Sequence, residues 1–237
     1  MINIPYLEVQ LYLMNKLDKI DTNFSEDDLK KIDELYLNPI GISNSYKKID
    51  FEILKYFPNL KRLEIDNSNI DEKDISYIVR LMNLDSLMFN NCHVANVKSL
   101  YQSKIKSLGF NNCIVPDIEN IGNMKSLNSI KLINMKLGSI SYLEGLPHLI
   151  EVDLSYSSLD SVSTLYHFIL IERLAIANSN ITDLDFVNKY SGLTEISISN
   201  NQYKSNKDLI DDLVALDITV YEDDVICYNH LVGGNDE

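Results

Sequence analysis

A 22-residue period governs this chain, and its cleanest copy runs from Leu149 to Leu170. Apolar residues at Leu149, Val152, Leu154 and Leu159 reproduce the spacing L-x-x-L-x-L-x-x-N/C-x-L, with Ser157 at the N/C position. Val162, Leu165 and Phe168 then follow at steps of three before Ile171 restarts the pattern. Units begin at Ile32, Leu60, Leu84, Ile105, Leu127, Leu149, Ile171, Leu193 and Ala215, so the steps are 28, 24 and 21, then 22 five times. Chance clustering of apolar residues does not hold one step for five turns.

Each unit carries two periods, and each period dictates a conformation. The x-L-x-L-x segment alternates and so predicts a short strand with one buried face. The step of three matches the three residues per turn of a 3₁₀ helix, which eclipses side chains at i and i+3. One unit cannot bury its own leucines, but stacked units can. The expected fold is therefore α/β, a leucine-rich repeat solenoid of about nine units. A curved parallel β-sheet should line the concave side, with mainly 3₁₀ helices on the bulkier convex side. Residues 63–65, 87–89, 108–110, 130–132, 152–154, 174–176 and 196–198 are the expected strands, with Leu63, Leu108, Val152 and Leu174 buried.

The division follows: a helical N-terminal cap over 1–31, repeats over 32–225 and a C-terminal tail over 226–237, all one continuous domain. In the cap, Pro5 suits a first helical position, and Leu7, Val9, Leu11, Leu13, Met14 and Leu17 offer a broad apolar face. Ser25-Glu26-Asp27-Asp28-Leu29 reads as an N-cap with acidic residues in the first turn of a second short helix. The first repeat is lengthened by a polar loop at 41–48. The second, from Asp71 to Asn83, has the apolar spacing of a true α-helix at Ile75, Ile78, Val79 and Met82. The final unit suggests a helix over 206–214 and a strand over 217–221, ending in the acidic run Glu222-Asp223-Asp224. That strand would be covered by only a short tail.

The segment D-D-L-K-K-I-D-E-L-Y-L at 27–37, after a helical cap, and F-P-N-L-K-R-L-E-I at 57–65 resemble the internalin type of bacterial leucine-rich repeat. The resemblance covers nearly the whole chain. It implies a protein-recognition module that uses its sheet face. No secretion signal, immunoglobulin-like domain or wall anchor is read in the sequence, so a surface-adhesin role is not expected. The N position is also eroded to Ser68, Cys92, Cys113, Met135, Ser157, Ser179 and Asn201, so a full asparagine ladder there should be absent. Asparagine occupies the preceding position instead, at Asn67, Asn91, Asn112, Asn134, Asn178 and Asn200, with Tyr156 the exception. Asn tolerates left-handed backbone, so a structural role is expected, with a ligand-binding ladder as the alternative.

Composition then narrows function. The net charge is −14, which argues against nucleic acid and anionic membranes, since both attract basic surfaces. It is compatible with a basic partner, though acidity also serves solubility. No apolar run reaches the 18 residues a membrane span needs. Of the three cysteines, Cys92 and Cys113 sit at equivalent positions of adjacent units and are expected to be free thiols in a reducing cytoplasm. No catalytic, cofactor-binding or metal-binding motif is present, and the four histidines lie in different units. Neither enzymatic activity nor a cofactor is expected.

The expected function is non-enzymatic: binding a partner protein on the sheet face, by a chain that is itself a monomer. A narrower version is an acidic inhibitor or immunity protein masking a basic toxin or enzyme. A structural, self-associating protein is the alternative. The candidate contact residues are Met88, Lys131, Ile133, Glu151, Asp153 and Tyr156, an exposed apolar and aromatic group set among charges. Scattered exposed apolar residues are also ordinary. Lys131 and Asp153 would either pair as an exposed salt bridge or serve recognition. The loop over 38–48 is the competing contact surface.

Overall fold

The computed structural model describes residues 2–39 and 49–222, and the backbone alone of 225–228. The loop expected at 41–48, Asp223, Asp224 and the end of the tail lie outside the described residues. The chain forms two compact units, 1–126 and 127–237.

The first unit opens with Ile2 bridged antiparallel to Phe24. Helix α1 (Leu7–Lys16) follows, and Tyr6 is its N-cap, so Pro5 precedes the helix instead of starting it. The buried face of α1 is also narrower than the sequence implied. Val9 and Leu13 are buried, while Leu7 and Leu11 stay 52% and 45% exposed. Helix α2 (Glu26–Leu29) starts at Ser25 as expected: the Ser25 hydroxyl accepts from the Asp28 N–H, and Asp28 accepts from the Ser25 N–H in return. Strands β1 (Glu34–Leu37) and β2 (Arg62–Asp66) follow, then a short β3 (Asn69–Ile70). Helix α3 (Glu72–Ile78) is the α-helix read from the longer second repeat, capped by Asp71 and Asp74. Strands β4 (Ser86–Asn90), β5 (His93–Val94) and β6 (Ser107–Asn111) complete the unit. The sheet β1-β2-β4-β6 is parallel throughout, and β3 pairs with β5 beside it.

The second unit holds β7 (Ser129–Ile133), β8 (Lys136–Gly138), β9 (Glu151–Asp153), β10 (Ser158–Leu159), β11 (Arg173–Ala175) and β12 (Glu195–Ile198). It ends in α4 (Asn200–Ser205), α5 (Lys207–Ala215), β13 (Thr219–Glu222) and β14 (Val225–Tyr228). The order β7-β9-β11-β12-β13 is again parallel. The C-terminal tail expected over 226–237 begins within β14, which pairs antiparallel on β13 along that strand's edge.

The step of three is realised as expected. 3₁₀ helices span Phe51–Tyr56, Lys98–Gln102 and Ile118–Asn123 in the first unit. Ser141–Gly145, Ser163–His167 and Asp185–Lys189 are their counterparts in the second. All but Lys98–Gln102 bury one residue inside the helix and another three later, as Leu54 and Phe57, or Leu165 and Phe168; in Lys98–Gln102 the buried Leu100 is followed by half-buried Ser103. Between helices and strands the core is filled by Leu63, Leu108, Val152 and Leu174, each no more than 2% exposed. Phe89 and Phe110 stack within the first unit with ring centroids 5.3 Å apart.

Candidate interaction face

Side chains alternate along each strand, so inward leucines leave the third and fifth positions of every repeat facing out. In the second unit two rows result. One reads Ser129, Glu151, Arg173, Glu195 and Thr219 across neighbouring strands, the register on β13 being shifted by two residues relative to the repeat start at Ala215. The other reads Lys131, Asp153, Ala175, Ser197 and Tyr221. Five of the six candidate residues lie in this unit. Met88 lies in the first, on β4 between Glu64 and Gly109.

Lys131 and Asp153 are register partners on adjacent strands, but they do not pair. The Lys131 ammonium lies 3.1 Å from Glu151, and the Arg173 guanidinium lies 3.3 Å from the other oxygen of the same carboxylate. Glu151 is thus clamped by two cations. Burial alone would raise its pKa, but Lys131 and Arg173 outweigh burial and hold it below the usual carboxylate value. Asp153 accepts the Ser155 N–H at 2.9 Å and forms no salt bridge among the described residues, since Lys131 and Arg173 both turn to Glu151. Arg173 was missed as a site residue. Its signal was present: third positions of neighbouring repeats carry opposite charges at Glu151 and Arg173, as they do at Glu34 and Arg62.

The turn after each strand explains the asparagine column. Asn67, Asn91, Asn112, Asn134 and Asn178 all have positive φ, between 49° and 56°. Asn112 donates to the Asn91 side-chain oxygen at 2.8 Å, and Asn67 to that of Asn38 at 3.3 Å. Asn200 departs from the column because Ser199 and Gln202 form a capping box there and start α4. Tyr156 adopts the same left-handed turn with φ 60°. A bulky side chain there is a steric outlier. The residue is 54% exposed, so burial does little to offset the strain. At the next position, Ser157, Cys92 and Cys113 replace the absent ladder: each bonds a carbonyl of the preceding repeat, at 2.7, 3.3 and 3.3 Å. The two cysteines are free and buried, and Cys92 is pushed up by its bond to Cys113 and by burial.

Three seventh positions of the second unit depart from alternation, while Ile133, at the end of β7, stays half-buried. Strand alternation would turn Ser155, Ala177 and Ser199 outward, yet they are 9%, 3% and 8% exposed. Strands β9 and β11 end at the fifth position, so alternation no longer sets the side there. In the first unit β2, β4 and β6 run on through the seventh position, and Asp66, Asn90 and Asn111 stay half-buried.

No protein-family model matches the chain, and no curated protein matches it in sequence. Solved structures do match. Internalin C2 of Listeria monocytogenes superposes with a TM-score of 0.64 at 19% identity, over 84% of this chain and 85% of that one. A leucine-rich repeat protein of Leptospira interrogans gives 0.55 at 21% identity, over 84% of this chain but only 55% of its own. No helix among the described residues is long and apolar enough to cross a membrane, and no group of metal-binding side chains occurs among them. The chain therefore has the leucine-rich repeat fold seen in bacterial internalins.

Proposed function

We propose that this chain is a non-enzymatic protein-interaction module, and that its partner contacts the outward sheet face of the second unit. Lys131, Ile133, Glu151, Asp153 and Tyr156 form the contact. One observation supports this reading above the others. Five turns of the repeat place Asn in the left-handed position, and the sixth keeps an exposed tyrosine there at φ 60°. Such strain costs about 1–3 kcal/mol. A residue that costs stability and is not buried is retained for what it touches outside the chain. Tyrosine also supplies a rigid apolar surface with a polar tip, the usual material of a binding hot spot.

The finer reading is a cytoplasmic, monomeric protein that masks a basic partner, as an acidic inhibitor does. Its support is the net charge of −14 and the carboxylate of Asp153, which no cation of its own neutralises. Against the self-association alternative stands β14, which pairs along the β13 edge. The test is affinity capture with wild-type protein and Tyr156→Asn in parallel. One stoichiometric partner held by the wild type and lost from the variant is expected. A partner retained equally by both places contact elsewhere, with the loop at 38–48 the next choice.

A further inference from the structure

The first unit carries a half-open cleft of about 610 Å³ away from its sheet face, between the 3₁₀ helix Phe51–Tyr56 and α3. That volume lies within the roughly 300–1,000 Å³ of small-ligand sites. The second repeat, 24 residues against the usual 22, closes with a capped α-helix that forms one wall of the cleft. The turn following each helix, Pro58-Asn59 and Met82-Asn83, forms one end of it. Those turns are pinned by side chains: Asn59 donates to the Lys30 carbonyl at 2.8 Å and Asn83 to the Pro58 carbonyl at 2.9 Å.

We infer that this cleft binds the C-terminal residues of a peptide or protein that ends in an aliphatic side chain. Leu54, Pro58, Leu81 and Met82 provide the apolar lining, and Met82 is 69% exposed. The charges lining the cleft select a carboxylate. Glu52 and Lys55 cancel one another at 2.6 Å, leaving Arg80 as a net cation within a chain of charge −14. Arg80 has no carboxylate partner among the described residues. Its guanidinium lies 5.5 Å from the centre of the Tyr77 ring, a cation–π contact that limits where the group can point. A guanidinium matches a terminal carboxylate with two parallel hydrogen bonds. Asn59 and Asn83 each commit one side-chain N–H to a backbone carbonyl, which fixes the amide and leaves its oxygen as an acceptor. Acceptors suit the N–H groups of a peptide and have no use for a fatty acid, so a peptide terminus is the occupant. This inference is independent of the contact proposed for the second unit.

The test uses the full chain with its methionine methyl groups labelled with carbon-13, titrated by NMR with acetyl-Gly-Leu-Leu as the free acid, the same peptide as the C-terminal amide, and octanoate. The free acid should shift the Met82 methyl signal, with the amide roughly fivefold weaker, as expected when a part-exposed ion pair is lost. Arg80→Gln should bring acid and amide to equal affinity while Met82 stays reporting on a folded chain. Equal binding of acid and amide by the wild type overturns the carboxylate assignment. Octanoate binding as tightly as the peptide overturns the peptide assignment. No Met82 shift at millimolar peptide overturns the site, and does so without touching the reading of the sheet face.

Discussion

The outward faces of the two units are built from the same strand positions but end in opposite states. On the first, Arg62 pairs with Glu34, the Tyr36 hydroxyl donates to Asp66, and Asn90 donates to both Glu64 and Asp66 at 2.7 and 2.8 Å. Burial and then the Asp66 carboxylate push the Tyr36 hydroxyl up to about 12, so it stays a donor at any physiological pH. On the second, one carboxylate takes two cations, Asp153 is left without one, and a strained tyrosine stands exposed. A partner on the first face would have to break bonds the chain already makes. On the second it would satisfy groups that the chain leaves unsatisfied. The same fold thus separates a face whose polar groups serve the protein from one that has something to offer a ligand.

The largest effect should come from the core under the second face. Leu154 is fully buried, and Leu154→Ala leaves a cavity costing about 2–5 kcal/mol. Leu216 is 72% exposed, so Leu216→Ala should stay within about 0.5 kcal/mol. Urea melts of both variants read the difference. Similar losses would mean that the inward positions do not carry the fold.

Next in size is Ser199. A smaller-than-expected exposure and a capping box make it structural: Ser199→Ala should cost about 0.5–2 kcal/mol. Ser197, half-buried on the outward row, should change by less than about 0.5 kcal/mol when replaced by Ala. If Ser199→Ala is as neutral as Ser197→Ala, the start of α4 is set by something other than its cap.

These two serines mark where the sequence was and was not legible. The repeat unit, the inward leucines, the α-helix of the second repeat and the left-handed asparagine column all follow from spacing and steric preference. They are local rules repeated many times. Strand ends are not so determined. Alternation gave no sign that β9 and β11 stop two residues before the turn, which buries Ser155 and Ala177. A local competitor, the Ser199–Gln202 box, also overrode the column at Asn200. Ion pairing was legible only in part: register placed Lys131 beside Asp153, but side-chain reach sent its ammonium to Glu151. The strain at Tyr156 was visible in the sequence only as an exception to a column.

That exception predicts effects of opposite sign. Tyr156→Asn should raise stability by about 1 kcal/mol by relieving the left-handed tyrosine. It should also weaken partner binding by more than about 1 kcal/mol if the ring is the hot spot. The mirror change in the first unit, Asn112→Tyr, should lose about 1 kcal/mol of stability and leave binding alone. Denaturant melts and titration calorimetry measure both. Loss of stability in Tyr156→Asn would show that the ring supports the fold, and the functional argument from strain would fail.

The smallest effect tests the ion-pair assignment itself. Glu151 is held below its ordinary range by Lys131 and Arg173. A folded-state pKa below the unfolded one contributes stability that is complete above the unfolded value of about 4.3. That contribution is lost as pH falls through the folded value. The advantage of wild type over Glu151→Gln should therefore be under about 1 kcal/mol at pH 7, as for part-exposed pairs, and should shrink below about pH 4. Lys131→Met should reduce the same advantage, because the ammonium bonds Glu151 and not Asp153. Asp153→Asn should leave the melts within about 0.5 kcal/mol and act on partner binding alone. If Asp153→Asn instead reproduces the loss seen for Glu151→Gln, Lys131 is shared between the two carboxylates in solution. Asp153 would then be neutralised from within, and the second face would come to resemble the first.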